Sequence, residues 1–173
     1  MEIGHIGLYV RDFDRMLEFY RGVFGFAITD IARNESRSIV FLTGDPATHH
    51  QFVLATGRPE AEQHLLNQIS FRLKNLGELR RVYKYLVDKN YPDLDPSTHG
   101  TAWSVYFRDP EGNRIEIYVD TPWYITQPYR ARIDLLDSEA EIYAHTEAMC
   151  RKAPGFQSLA VWSQNTARNI RQL

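Results

Sequence analysis

The sequence predicts an α+β fold built from two copies of one unit, followed by a helical extension. Three observations lead to this prediction. Segments with alternating apolar and polar residues begin near Ile6 and Ile69, 63 residues apart, and each is followed by an apolar pattern of helical period and then by strand-like segments. Two copies of about 60 residues are too few for a solenoid and indicate a duplicated domain. We assign the copies to about residues 1–58 and 66–120, which together form one domain over residues 1–120.

The first unit opens with a predicted strand in which Ile6, Leu8 and Val10 share one face. Asp12 stands where a helix N-cap is preferred, and apolar residues then recur at helical spacing as far as Gly25, a typical helix stop. Strand-like segments follow at residues 38–42 and 51–55. The pattern therefore predicts a strand, a helix, and then two or three strands.

The second unit repeats this order. Its first strand alternates from Ile69, and Asn75 with Glu78 three residues later resembles a capping box at the start of a helix. Predicted strands at residues 103–108 and 114–119 are joined by a short segment in which Pro and Gly suit a tight turn. These two strands are therefore expected to form a hairpin.

Residues 121–173 depart from the repeat. Residues 121–129 are rich in Pro and aromatic side chains and are expected to be extended. Ser138 is a suitable N-cap for a helix through Met149, and a final helix is expected from about Gln157 to the terminus. The aromatic surface of this extension is too large to remain unpacked, so it packs on the core or on a second subunit, and the sequence leaves both open.

Charge and cysteine content exclude several classes of protein. Twenty Lys and Arg stand against twenty-two Asp and Glu, for a formal charge of −2, which argues against nucleic-acid binding through a basic surface. The single cysteine, Cys150, forms no internal disulfide. No signal-peptide pattern and no apolar stretch approaching 18 residues is present. A cytoplasmic protein without nucleic-acid or membrane partners is expected.

Strand parity selects the first candidate functional residues. His5, Gln68 and Glu116 all fall on the strand face opposite to the apolar set. Glu116 lies between Ile115 and Ile117, and a half-buried carboxylate requires a cation, a network of donors or a metal as its partner. A lone strand histidine is more often structural than functional, so the combination carries more weight than any member alone.

These features resemble one known superfamily. His5 in Gly-His-Ile, Glu116 in Asp-Pro-Glu-Gly-Asn-Arg-Ile-Glu-Ile-Tyr and the doubled unit are similar to the vicinal oxygen chelate superfamily, over residues 1 to about 120. This superfamily includes glyoxalase I, fosfomycin and bleomycin resistance proteins, and type I extradiol dioxygenases. The resemblance implies two paired βαβββ modules that form a curved mixed sheet around a central cup.

Within the superfamily, the chain most resembles single-domain catechol 2,3-dioxygenase and dihydroxybiphenyl dioxygenase proteins. His49-His50 before a strand, His99-Gly100, Tyr106 and the position of Glu116 carry this likeness. The resemblance implies that Fe(II) is held by His5, the residue at position 68 and Glu116. It also implies that His50, His99 and Tyr106 bind or deprotonate the diol and stabilise bound oxygen.

Position 68 departs from the family, because glutamine stands where those enzymes have histidine. An amide oxygen is a weaker and harder ligand than imidazole, so it is less suited to Fe(II). Mn(II), Zn(II) or Ni(II), or a site without metal, are therefore alternatives to Fe(II).

The activity implied by the resemblance is metal-dependent extradiol cleavage of a catechol-type aromatic diol with O2, in aromatic compound catabolism and by a homodimer. One alternative is a non-catalytic protein that sequesters an aromatic ligand or an antibiotic. A glyoxalase-type isomerase or lyase ranks lower, because residues 52–55 lack the glutamate that serves as base in that branch.

Overall fold

The chain has the α+β fold that the sequence predicts, with mixed sheets and helices in the C-terminal part. A computed structural model describes residues 5–35, 37–45, 49–59 and 66–167. Within these ranges, no helix is both long and apolar enough to cross a bilayer.

The chain divides into two compact units. Unit 1 comprises residues 1–67 together with 108–113, and unit 2 comprises residues 68–107 together with 114–173. The elements of unit 1 are β1 (Ile6–Val10), α1 (Phe13–Phe24), β2 (Ala27–Arg33), β3 (Ser38–Thr43) and β4 (Phe52–Thr56). They form a four-stranded sheet in the order β1-β4-β3-β2, in which β1 and β4 are parallel and the other pairs antiparallel. The first unit therefore has three strands after its helix.

Local chemistry fixes the ends of α1. The Asp12 side chain accepts the N–H of Arg15 as an N-cap, and Gly25 ends the helix with φ 66°, a left-handed conformation that favours glycine. The apolar face of α1 and the sheet form the core of unit 1, whose buried residues include Phe13, Met16, Leu17, Phe19, Tyr20, Val40, Leu42, Phe52 and Leu54.

The turn at residues 109–113 belongs to unit 1 and is held there by its acidic side chains. Glu111 accepts the backbone N–H groups of Arg11 (2.6 Å) and Asp12 (2.9 Å) and pairs with Arg58 at 2.9 Å. The hydroxyl of Tyr20 donates to the Asp109 carboxylate at 3.1 Å. Two acidic residues of the motif that carries the family resemblance thus have structural contacts at the start and middle of α1.

Unit 2 repeats the topology of unit 1. Its elements are β5 (Ile69–Arg72), α2 (Leu76–Asp88), β6 (Asp95–Thr98), β7 (Ala102–Arg108) and β8 (Arg114–Asp120). The sheet order β6-β7-β8-β5 corresponds to β2-β3-β4-β1, and β5 and β8 are again parallel. Ile69 pairs with Ile115 as Ile6 pairs with Phe52, so the 63-residue offset holds for both strands and for their register.

The extension belongs to unit 2. Its elements are β9 (Trp123–Tyr124), β10 (Ala131–Arg132), α3 (Glu139–Cys150), β11 (Gln157–Ser158) and α4 (Leu159–Ala167). The predicted start of α3 is confirmed, because Ser138 and Glu141 form a capping box. The predicted final helix begins at Leu159 instead of Gln157, since Gln157 pairs with Tyr124 as a strand residue, and residues 168–173 lie outside the described part.

The extension packs on the core of unit 2. Trp103 on β7 is fully buried, and its Nε1–H donates to Thr146 Oγ1 of α3 at 2.8 Å. The Trp103 ring also meets the rings of Tyr143 (centroids 4.7 Å apart) and Trp123 (6.2 Å) edge to face. Aromatic side chains of the extension therefore pack against Trp103 of β7.

Candidate functional site

The candidate site of unit 2 is centred on Glu116. This residue lies on β8, which runs between β7 and β5, and only 8% of its surface is exposed. Ser70 of β5 is its register partner, and Gln68 immediately precedes that strand. Side chains that share the face of Glu116 on all three strands therefore converge on its carboxylate.

Four donors surround the Glu116 carboxylate. Its Oε1 accepts hydrogen bonds from the hydroxyls of Ser104 (2.8 Å) and Tyr106 (2.5 Å). Its Oε2 accepts from Ser70 Oγ (2.6 Å) and from Gln68 Nε2 (2.9 Å), which also donates to Ser70 Oγ at 2.9 Å. Because a carboxylate offers about four lone-pair positions, its acceptor capacity is fully used.

Tyr106 connects Glu116 to His99. Burial, followed by the hydrogen bond to Glu116 and that residue's charge, raises the pKa of Tyr106 far above its usual value, so the hydroxyl stays protonated. The hydroxyl lies 2.7 Å from His99 Nε2, and His99 Nδ1 lies 2.7 Å from the backbone carbonyl of Tyr129.

The chain of contacts from the Tyr129 carbonyl through His99 and Tyr106 to Glu116 begins and ends on a group that only accepts. Its three contacts join His99, Tyr106 and Glu116 in one hydrogen-bonded network.

The Gln68–Glu116 pair, as arranged here, does not fit a metal. A metal ligand must present a free lone pair, but Glu116 uses its lone pairs to accept hydrogen bonds from four donors. Gln68 turns its amide nitrogen, which has no lone pair to offer a metal, towards the carboxylate. Among the described residues, no group of three or more His, Cys, Asp or Glu side chains is arranged to hold a metal ion. The assignment of Gln68 and Glu116 as metal ligands stays a prediction.

Unit 1 brings together the other two predicted site residues. The rings of His5 and His50 have centroids 4.4 Å apart, and His50 Nδ1 lies 2.8 Å from His49 Nδ1. His49 Nε2 contacts Asp30 Oδ2 at 2.8 Å. Desolvation, followed by the charges of His5 and His49, lowers the pKa of His50. Of the six predicted residues, His5 and His50 thus meet in unit 1, and Gln68, His99, Tyr106 and Glu116 are linked in unit 2.

Sequence reasoning missed four residues of the unit 2 site: Ser70, Ser104, Arg114 and Arg130. The guanidinium carbons of Arg114 and Arg130 lie 4.3 Å and 5.2 Å from the centroid of the Tyr106 ring. Ser70, Ser104 and Arg114 each stand two positions from a predicted residue, so strand parity could have found them. Arg130 comes from the extension, and no local pattern pointed to it.

A separate cavity of about 430 Å³ also lies in unit 2. Helix α2, strand β6, the segment after β10 and helix α3 line it, with Tyr83, Pro96, Asp134 and His145 among the lining residues. None of the predicted site residues takes part. The network around Glu116 reaches solvent elsewhere, at the exposed Ser70 and the half-buried Gln68.

Comparison with known proteins places the chain in a family. Residues 2–117 match the family model of the Glyoxalase/Bleomycin resistance protein/Dioxygenase superfamily, so the chain belongs to that superfamily. A biphenyl-2,3-diol 1,2-dioxygenase of Rhodococcus globerulus is 31% identical over 124 residues, which cover 68% of this chain and 63% of the relative. The chain spans less than two thirds of the length of the curated relatives that it matches.

Solved structures share the fold. A glyoxylase/bleomycin resistance protein/dioxygenase domain from Frankia sp. EAN1pec has a TM-score of 0.60 at 18% identity, covering 70% of this chain and 98% of that one. The fosfomycin resistance protein FosX of Listeria monocytogenes, solved with Mn(II) and 1S,2S-dihydroxypropylphosphonic acid, has a TM-score of 0.56 at 17% identity, covering 69% and 93%. At such identities the likeness is one of fold alone.

Proposed function

We propose that this chain binds a catechol-type aromatic diol at the network around Tyr106 and does so without a metal. The substrate class comes from the biphenyl-2,3-diol dioxygenase relatives. His99 and Tyr106, to which the resemblance assigns contact with the diol, are present and joined by a hydrogen bond. The proposal that no metal takes part rests on the four hydrogen bonds that the Glu116 carboxylate accepts.

Extradiol ring cleavage with O2 is the second candidate function. The names of the curated relatives favour it, since all three are dioxygenases that match over 68–69% of this chain. It would require His5, Gln68 and Glu116 to hold a divalent metal, Fe(II) by resemblance, with His50 acting beside His99 and Tyr106. Gln68 and Ser70 would first have to release the Glu116 carboxylate.

Sequestration of an antibiotic and glyoxalase-type isomerisation are supported only by the shared fold. The structural relatives that suggest them are 17–22% identical to this chain. Neither is therefore proposed ahead of the binding of an aromatic diol.

Calorimetric titration with 2,3-dihydroxybiphenyl tests the proposal on the full chain, with and without a chelator. We expect equal affinity in both conditions and no oxygen uptake after anaerobic loading with Fe(II). Tyr106→Phe should weaken binding about tenfold, because one hydrogen bond in a buried site is lost. Tyr85→Phe, at an exposed tyrosine on α2, should leave affinity unchanged.

The outcomes separate the two functions. Stoichiometric metal in the purified protein, with oxygen uptake in the presence of the diol, would establish the dioxygenase and reject the metal-free proposal. No binding of the diol in either condition would reject both. The double variant Gln68→His, Ser70→Ala supplies an imidazole and frees Glu116 Oε2, so a gain of bound Fe(II) in this variant is expected.

A further inference from the structure

Two arginines contact the ring of Tyr106, and they differ in whether a carboxylate pairs with the guanidinium. Arg130 pairs with Asp95, and its Nε also donates to Ser97 Oγ at 3.1 Å. Its positive charge is therefore matched by a carboxylate of β6. Arg130 contributes to the surroundings of Tyr106, but it offers little unbalanced charge to a bound molecule.

Arg114 differs from Arg130 in this respect. Its guanidinium carbon lies 4.3 Å from the centroid of the Tyr106 ring, and the residue is half-buried. Among the residues that the structure describes, no carboxylate or carbonyl hydrogen-bonds or pairs with this guanidinium. A guanidinium near an aromatic face keeps N–H donors available for a planar, two-oxygen acceptor such as a carboxylate.

The carboxylates of neighbouring strands do not neutralise Arg114. Glu116, two residues along β8, directs its oxygens to four other donors. Asp120, further along the same strand, pairs with Arg72. Asp95 pairs with Arg130. Arg114 is thus left as a positive group beside the hydroxyl-bearing ring to which the diol is proposed to bind.

We infer that Arg114 recognises an anionic group and that the ligand of this site is an aromatic diol bearing a carboxylate. The inference rests on the proposed function, since Arg114 selects among diols that bind at Tyr106. A carboxylate on the ring of the diol would complete the hydrogen bonds of Arg114 while the hydroxyl groups face Tyr106 and His99. The pairing adds specificity by charge and leaves the hydroxyl contacts of the diol unchanged.

Affinities for two ligands of nearly equal shape test this inference. The probes are 3,4-dihydroxybenzoate and the neutral 3,4-dihydroxybenzamide, titrated into the full chain and into Arg114→Gln. We expect the native protein to bind the benzoate about tenfold more tightly than the benzamide, the effect of one charge-assisted hydrogen bond. In Arg114→Gln the preference should fall to within about twofold, with the affinity for the benzamide unchanged.

Arg72→Gln is the matched control, because it removes the same charge from a residue that pairs with Asp120 and is not among the arginines over the Tyr106 ring. This variant should keep the tenfold preference for the benzoate. That result would show that the preference depends on Arg114 and not on the overall charge of the unit. Equal affinities in the native protein, or a preference that survives Arg114→Gln, overturn the inference while the proposed function stands. Failure of both probes and of 2,3-dihydroxybiphenyl to bind overturns the proposed function and the inference together.

Discussion

Glu116 illustrates, at the scale of single residues, how a buried carboxylate can be stabilised by donors alone. Three hydroxyls and one amide surround its carboxylate; the hydroxyls come from the neighbouring strands β5 and β7, and the amide is that of Gln68, just before β5. Each hydrogen bond to a charged group contributes about 1.5–3 kcal/mol. The network is therefore a structural element of unit 2 as well as a candidate binding site.

Glu116→Gln should lower the free energy of unfolding of unit 2 by about 1–3 kcal/mol, because an amide turns an N–H group towards donors that need an acceptor. Chemical denaturation followed by tryptophan fluorescence measures this change. Asp88→Asn, at an exposed carboxylate on α2, should change stability by less than about 0.5 kcal/mol. A Glu116→Gln variant as stable as the control would show that the network contributes nothing to folding.

Much of this residue-scale arrangement was predictable. Period-two alternation predicts that Gln68 and Glu116 share one strand face, and the donor network supplies the partner that a buried carboxylate requires. The alternation alone did not decide between a metal and donors, because that choice depends on the orientation of the Gln68 amide. The carbonyl of Tyr129 and the side chain of Arg130 reach the site from the extension, which local patterns do not place.

At the scale of elements, the turn between β6 and β7 positions His99 through Gly100. Gly100 has φ 74°, and a Cβ there would lie 2.3 Å from Ile125 Cδ1 and 3.2 Å from Cys150 Sγ. The Gly100 carbonyl also accepts the hydroxyl of Thr121 at 2.5 Å. Backbone conformation and close packing both require glycine at this point, directly beside a site residue.

Gly100→Ala is expected to lower the free energy of unfolding by about 2–4 kcal/mol, from left-handed strain and overpacking together. Gly112→Ala provides a matched control, since Gly112 has φ 82° but no atom within 4 Å of the added Cβ. Gly112→Ala should lower the free energy of unfolding only by the backbone strain, about 1–2 kcal/mol. Thermal unfolding of both variants measures the difference, and equal losses would contradict the packing argument.

Helix starts were predicted well because each depends on a few adjacent residues. Asp12, Asn75 and Ser138 all cap the helices that the sequence assigned to them. Strands β2 and β6 were harder to predict from the sequence. Strand β2 is exposed on both faces, and β6 begins with Asp-Pro, two residues that are depleted in strands. These strands are defined by their pairing with β3 and β7.

At the scale of the whole molecule, two units share one topology, but only the last strand of unit 2 continues into the extension. The aromatic side chains of this extension pack on Trp103. The sequence predicted that this surface must be covered, but not by which element, because a packing partner leaves no local pattern. Formation of a homodimer, expected from the family resemblance, stays a prediction.

Thr146→Val should lower the free energy of unfolding by about 1–3 kcal/mol, because it keeps the shape of the side chain but leaves the buried Trp103 N–H without its acceptor. Thr146→Ser retains the hydroxyl and should recover most of the loss. Urea unfolding with tryptophan fluorescence distinguishes the two. If valine is tolerated as well as serine, the Trp103–Thr146 contact does not anchor the extension.

The position of Cys150 gives the molecule an internal probe. The thiol is fully buried at the end of α3, donates to the Gly100 carbonyl at 3.6 Å, and has a pKa raised by desolvation and by Glu147. Since thiol reagents attack only an accessible thiolate, modification of the folded chain must await detachment of α3. The rate of alkylation of this single cysteine therefore reports how often α3 detaches from the turn beside His99.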